Sequence, residues 1–186
     1  TFASALEPLR AANRMSGQHL FSWVISSPTG AAPEASNGVK VNVQGTPEML
    51  QDCRLVFVCA GLEVKAHANK ETLNLIRRLD RKGAIIGAIC TGTYLMAAAG
   101  LLDDRRCTIH WENIDGLAEE FPLLEITNEL FEIDDKRVTC SGGTASLDMI
   151  LYLIGQVHGQ GLAAQVSDQF IHCLLYTSPS PRDNTG

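Results

Sequence analysis

The residue in this sequence best placed to do chemistry is Cys90. It closes a short apolar run, Gly83-Ala84-Ile85-Ile86-Gly87-Ala88-Ile89, and precedes an alanine- and leucine-rich stretch that stops at Gly100. The first run reads as a strand buried on both faces and the second as a helix, so a sharp strand-to-helix turn falls at Cys90-Thr91-Gly92. A thiol held there faces the amino end of a helix, whose partial positive charge lowers a cysteine pKa and favours thiolate or a bound anion. This is the layout of a nucleophile elbow with cysteine in place of the more familiar serine. A buried structural cysteine is the alternative reading of the same spacing. A second turn, Ser141-Gly142-Gly143-Thr144, precedes a long apolar helix. Its composition suits either an anion site at a helix start or a turn in which glycine supplies positive φ.

The elements that must position these turns follow from the hydrophobic pattern. Phe2 to Met15 has helical spacing, with Pro8 either costing one hydrogen bond or marking the first turn. Leu20 to Ser26 and the alternating Val39, Val41 and Val43 read as strands separated by turns at Pro28-Thr29-Gly30 and Ser36-Asn37-Gly38. Cys53 to Cys59 reads as a buried strand stopped by Ala60-Gly61-Leu62, and Lys65 to Lys82 as an amphipathic helix with Leu73, Ile76 and Leu79 inward. Beyond Gly100, strands are expected at Cys107 to Trp111, within Glu125 to Ile133, and at Arg137 to Cys140. Helices are expected at Ile114 to Phe121, Ala145 to His158, and from Gln160 or Gly161 to His172. Alternating strands and helices predict a three-layer α/β/α sandwich with a mainly parallel sheet, in which sites form at the carboxyl ends of strands. Gly61, Cys90 and Gly142 all fall at such ends and are expected to converge.

Length and composition narrow the function. With 186 residues, 45% hydrophobic and 19% charged, the chain suits one globular domain. A net charge of −6 and pI near 5.3 argue against nucleic-acid binding by its own surface, which needs clustered Lys and Arg. There is no run of the roughly 18 apolar residues that a membrane span takes, and no signal peptide pattern, so a cytoplasmic protein is expected. Six cysteines without CxxC pairing read as reduced thiols, and His67, His158 and His172 have no metal-ligand spacing. No metal and no cofactor is expected. The sequence starts at Thr1 on a helix, so a first strand is expected upstream. Cys173 to Asp183 resembles a translated sequencing adapter, so residues 173–186 are expected to be an artefact tail and 1–172 the domain.

Several segments together resemble a known family. They are Ala5-Leu6-Glu7-Pro8-Leu9-Arg10-Ala11-Ala12-Asn13-Arg14, Ala88-Ile89-Cys90-Thr91-Gly92, Ala99-Gly100-Leu101-Leu102, Thr108-Ile109-His110-Trp111-Glu112, Thr139 to Ala145, and Val166-Ser167-Asp168-Gln169-Phe170-Ile171-His172. In this order they look like the amino-terminal domain of GlxA-type regulators of the AraC/XylS family, which is similar to the ThiJ/PfpI and class I glutamine amidotransferase-like superfamily of flavodoxin-like architecture. The resemblance implies a sensor that binds a small metabolite, an amino-acid derivative or a quaternary amine, usually as a homodimer. Its occupancy would bias a carboxy-terminal helix-turn-helix domain, which follows in the family near the position of His172 and is expected to be missing from this sequence; DNA would be met only through that domain. The implied ligand-binding residues are Gly61, Leu62, Cys90, Thr91, His110 and Trp111.

The same resemblance implies an alternative, a cysteine-dependent hydratase or hydrolase of the isonitrile-hydratase kind. In it Cys90 is the nucleophile, His110 the general acid/base, and backbone N–H groups of Gly61 or Leu62 and of Thr91 form an oxyanion hole. Active relatives carry an acidic residue four positions before a proline on the first helix; that position here is Ser4, and Glu7 adjoins Pro8 and should point elsewhere. Catalysis is therefore not the expectation. A thiol sensor in which Cys90 oxidises is the third reading. Trp111, with Phe21 or Trp23, could offer an aromatic face to a quaternary ammonium, although core filling is the expected role. His110 could line the pocket or be a core histidine bonded to backbone. Cys140 is expected to be packing.

Overall fold

Ile85–Cys90 is an inner strand because its side chains are apolar on both faces. Ile86 and Ala88 pack into one hydrophobic cluster, while Ile89 and Ile85 pack into the other. The computed structural model describes residues 1–172, and the tail anticipated at 173–186 lies outside the described residues. Helices are α1 (Phe2–Ser16), α2 (Lys70–Arg81), α3 (Gly92–Ala98), α4 (Ile114–Glu120), α5 (Ala145–His158) and α6 (Gln160–Gln169). Strands are β1 (Leu55–Ala60), β2 (Ile85–Cys90), β3 (Arg106–Cys107), β4 (Glu125–Ile126), β5 (Phe131–Asp134) and β6 (Arg137–Cys140).

The main sheet has the order β1-β2-β6-β5, parallel from β1 through β6 and antiparallel between β6 and β5. Helices α1, α5 and α6 pack on one another and bury Ala11, Ala12, Met149, Ile150, Ile154 and Val166 over one face. On the other face α2 and α3 bury Ile76, Leu79, Leu95 and Met96. This is the expected α/β/α sandwich. A separate pair, β3 parallel to β4, is tied to the β5–β6 hairpin by Arg105 and Arg106, which meet Asp134, Asp135 and Glu132.

Three expected strands and one expected helix are corrected. Leu20 to Ser26 is not a strand, and of its residues only Ser26 forms a bridge, to Gly45. The Asn13 side chain takes both backbone groups of Phe21: its Nδ2 donates to the Phe21 carbonyl at 2.7 Å and its Oδ1 accepts the Phe21 N–H at 2.8 Å. An amide side chain thereby does the pairing that a ladder would have done. Val39 to Val43 likewise stays irregular, beside an isolated bridge from Glu34 to Lys40. Finally, Cys107 to Trp111 is strand only at its first residue, because Thr108 is pinned by side chains instead. Its N–H donates to Thr139 Oγ1 at 2.9 Å, its hydroxyl donates to the Glu129 carbonyl at 2.8 Å, and its carbonyl accepts from Thr93 Oγ1 at 2.8 Å. The helix expected over Lys65 to Lys82 is divided into a 3₁₀ turn, Val64–His67, and α2. Asn69 caps α2 by accepting the Thr72 N–H at 2.9 Å.

Candidate functional site

Cys90 occupies the expected strand-to-helix turn, and its backbone is strained. Its φ is +61°, a conformation uncommon for residues other than glycine. Two glycines make room for it. A Cβ at Gly92 would lie 2.2 Å from the Val58 carbonyl oxygen, so only glycine lets α3 start this close to β1. A Cβ at Gly142, where φ is +99°, would lie 2.9 Å from Cys90 Cβ and 3.2 Å from its sulfur. Ala60 pairs with Cys90 across β1 and β2, so Gly61, Cys90 and Gly142 converge at the carboxyl ends of three adjacent strands.

The electrostatics differ from expectation. Partial burial of the Cys90 thiol pushes its pKa up, and this outweighs the Thr91 N–H, which favours thiolate. The Glu112 carboxylate adds a smaller upward push. Desolvation of the half-buried sulfur thus opposes thiolate formation at the start of the seven-residue α3. The carboxylate of the opening helix is also turned away. Glu7 Oε2 accepts from Arg10 Nε at 2.8 Å on the exposed surface.

Beside the elbow is a cavity of about 340 Å³, between the loop from Gly61 to Lys65, the start of α3 and the start of α4. Gly61, Leu62 and Thr91 line it, as do Glu63, Lys65, Tyr94 and Glu112. Thr91 Oγ1 donates to the Gly61 carbonyl at 2.6 Å and fixes one wall to the other. Lys65 and Tyr94 converge on one carboxylate: Lys65 Nζ and Tyr94 Oη each reach Glu120 at 2.6 Å. That pairing holds the Glu120 carboxyl below the usual range, through Lys65 first and Tyr94 second. Burial and the same carboxylate push the Tyr94 hydroxyl up to about 12. With the Lys65 charge engaged by Glu120, Glu63 and Glu112 leave the cavity acidic.

Cys90, His110 and Trp111 are not among the lining residues, although His110 and Trp111 fall between Ile109 and Glu112, which are. His110 is half-buried with Nδ1 3.7 Å from Glu112 Oε2. Trp111 is 72% exposed, which removes the core-filling role expected of it. Phe21 packs edge-on against His158, 5.1 Å between ring centres. At the second turn the N–H groups are spoken for, Gly142 by Cys140 Sγ at 3.4 Å and Gly143 by Thr1 Oγ1 at 3.1 Å. The glycine-turn reading of that segment therefore holds over anion binding. Cys140 is buried 3.6 Å from Ser146 Oγ, as packing requires. Among the described residues no cluster of three His, Cys, Asp or Glu could hold a metal, and no helix is long and apolar enough to cross a membrane.

Sequence reasoning missed Tyr94, Lys65 and Glu120. Tyr94 is one helical turn past Cys90, which was a usable signal. Lys65 and Glu120 carried none, since they are 55 residues apart and meet only through the fold.

Comparison with known proteins matches residues 6–156 to the DJ-1/PfpI family. The HTH-type transcriptional regulator CdhR of Pseudomonas aeruginosa is 49% identical over 170 residues, covering 91% of this chain and 50% of that protein. The HTH-type transcriptional regulator GlxA of Rhizobium meliloti is 39% identical over 183 residues, covering 98% and 56%. The chain thus spans about half the length of the curated relatives it matches. Among solved structures, an AraC family transcriptional regulator from Pseudomonas putida superposes with a TM-score of 0.82 at 26% identity, over 91% of each chain. A more distant likeness, 28% over 118 residues, is to isonitrile hydratase of Pseudomonas putida, covering 63% of this chain and 49% of that protein. The strained cysteine elbow, the sandwich that carries it and these matches agree: the chain belongs to the DJ-1/PfpI family, on the side of that family found in HTH-type transcriptional regulators.

Proposed function

We propose that this chain is the ligand-sensing part of an AraC-type transcriptional regulator, taking a small cationic metabolite into the cavity beside Cys90. The metabolite is an amine or amino-acid derivative, and a homodimer in the cytoplasm acts on DNA through a separate helix-turn-helix domain. The observation that carries this reading is the acidic cavity of about 340 Å³ beside the strained Cys90 turn, lined by Glu63 and Glu112. An unactivated nucleophile is poor at covalent chemistry, while Glu63 and Glu112 attract a cation. The similarity to regulators supports the same side.

A thermal-shift screen against amines, betaines and amino acids tests it. A ligand at a hundred times its dissociation constant should add about 2.7 kcal/mol of stability. Glu112→Gln should weaken a cationic ligand by about tenfold, equivalent to roughly 1.4 kcal/mol, and leave an anionic control unaffected. Stabilisation by anions alone would defeat the assignment. The likeness to isonitrile hydratase favours a second reading, turnover at Cys90. Cys90→Ser should abolish turnover under that reading and spare metabolite binding under the first.

A further inference from the structure

The end of the described chain is held in a strained turn. Ile171 has φ +52° although it is β-branched, and its side chain stands 95% exposed, so no packing of its own keeps it there. The next residue does. His172 Nε2 lies 2.7 Å from Asp148 Oδ1, its N–H donates to the Ser167 carbonyl at 3.1 Å, and its carbonyl accepts from Ser167 Oγ at 2.6 Å. Arg14 separately anchors Gln169 to α1, so only the last three residues depend on the histidine contact.

Asp148 sits in the first turn of α5, the helix that starts from the glycine turn pressed against Cys90. The Gly142 carbonyl accepts from Ala145 N–H at 3.1 Å, and the Thr144 carbonyl accepts from Leu147 N–H at 2.8 Å and from Asp148 N–H at 3.4 Å. From the elbow to the last described residue every step is a direct contact: Cys90, Gly142, the first turn of α5, Asp148, His172. A packed path ending on a strained turn has the parts of a two-state element, because releasing one contact lets the backbone relax.

We infer that Asp148 and His172 form a relay clasp, by which an occupant pressing on Thr91, and through it on the adjoining Cys90, shifts the Gly142 turn and the start of α5, and so frees the Ile171 turn. The inference rests on the sensor reading, and it adds the route by which occupancy leaves the domain. Asp148 and His172 are positioning residues in it and touch no ligand.

Coupling between two sites is reciprocal, so it is readable from the far end with neither metabolite nor DNA. In the full chain, His172→Gln should change the rate at which iodoacetamide alkylates Cys90 by about fivefold or more. Asp148→Asn should act in the same direction, and the double variant should do no more than either single one. Cys53, on the opposite end of β1, reports general opening. Hydrogen exchange gives the forward direction: alkylating Cys90 should speed the amides of Ile171 and His172 by about tenfold and leave α2 unchanged. An unchanged Cys90 rate in both single variants overturns the relay, as do additive effects or equal acceleration at Cys53. A thermal-shift screen without hits would instead sink the sensor reading and leave this coupling standing.

Discussion

Cys107 shows what burial does to a thiol here. It is fully buried, and desolvation first, then the carboxylates of Glu132 and Glu125, push it up to about 11. Because its folded value lies above its ordinary value of 9.0, the stability it contributes is fully present below about pH 9 and is lost as pH rises through about 11. Cys90 and Cys140 are shifted in the same direction. Melting temperature should therefore fall over that alkaline window, and Cys107→Ala should flatten the fall even though it lowers the plateau. Gly92 provides a steric counterpart. Gly92→Ala forces a Cβ against the Val58 carbonyl and should cost at least about 2 kcal/mol in urea unfolding. The position of the elbow was legible from residues 83 to 100, since an isoleucine run meeting an alanine-rich helix leaves one place for the turn. The protonation of Cys90 was not. A dipole argument gives the sign of one contribution, and only coordinates show how much water the sulfur has lost.

At the scale of elements, β1, β2, β6, α5 and α6 fell where the hydrophobic pattern put them, because each is covered by layers the same pattern supplies. In the expected strand Leu20 to Ser26, periodicity does not carry that Asn13 meets both backbone groups of Phe21 and that Gln44 meets those of Ile25. Thr108 makes the same point through Thr139, Thr93 and Glu129. Side-chain bonds that mimic a ladder are invisible to a reading that weighs only apolar spacing. Asn69 was overlooked within a long polar run, yet it marks where α2 begins. Asn69→Ala should lower stability by about 1 kcal/mol, measured by denaturant unfolding with an unchanged slope. At the other end of this layer, Arg77 donates to the carbonyls of Ala98 and Ala99, so a cation from α2 closes the carboxyl end of α3.

For the molecule as a whole, the order β1-β2-β6-β5 puts β1 at one side of the sheet among the described residues. Its sequence, Leu-Val-Phe-Val-Cys-Ala, is that of a strand meant for burial, and Cys59 within it is exposed. An apolar edge of this kind suits a further paired strand, such as the one the sequence leads one to expect upstream. The site itself was only partly a matter of sequence. Gly61, Leu62 and Thr91 were named beforehand and share one cavity, whereas the acidic lining emerges from loops brought together across the sandwich.

One further property follows from Trp111. The chain has two tryptophans, and Trp111 stands 72% in water between two residues that line the cavity. Its indole should emit at long wavelength in the empty protein, and a guest that draws in the adjoining Glu112 should alter that emission, with Trp23 as a steady background. The domain thus carries its own optical gauge of filling, and a fluorimeter can titrate it without any dye.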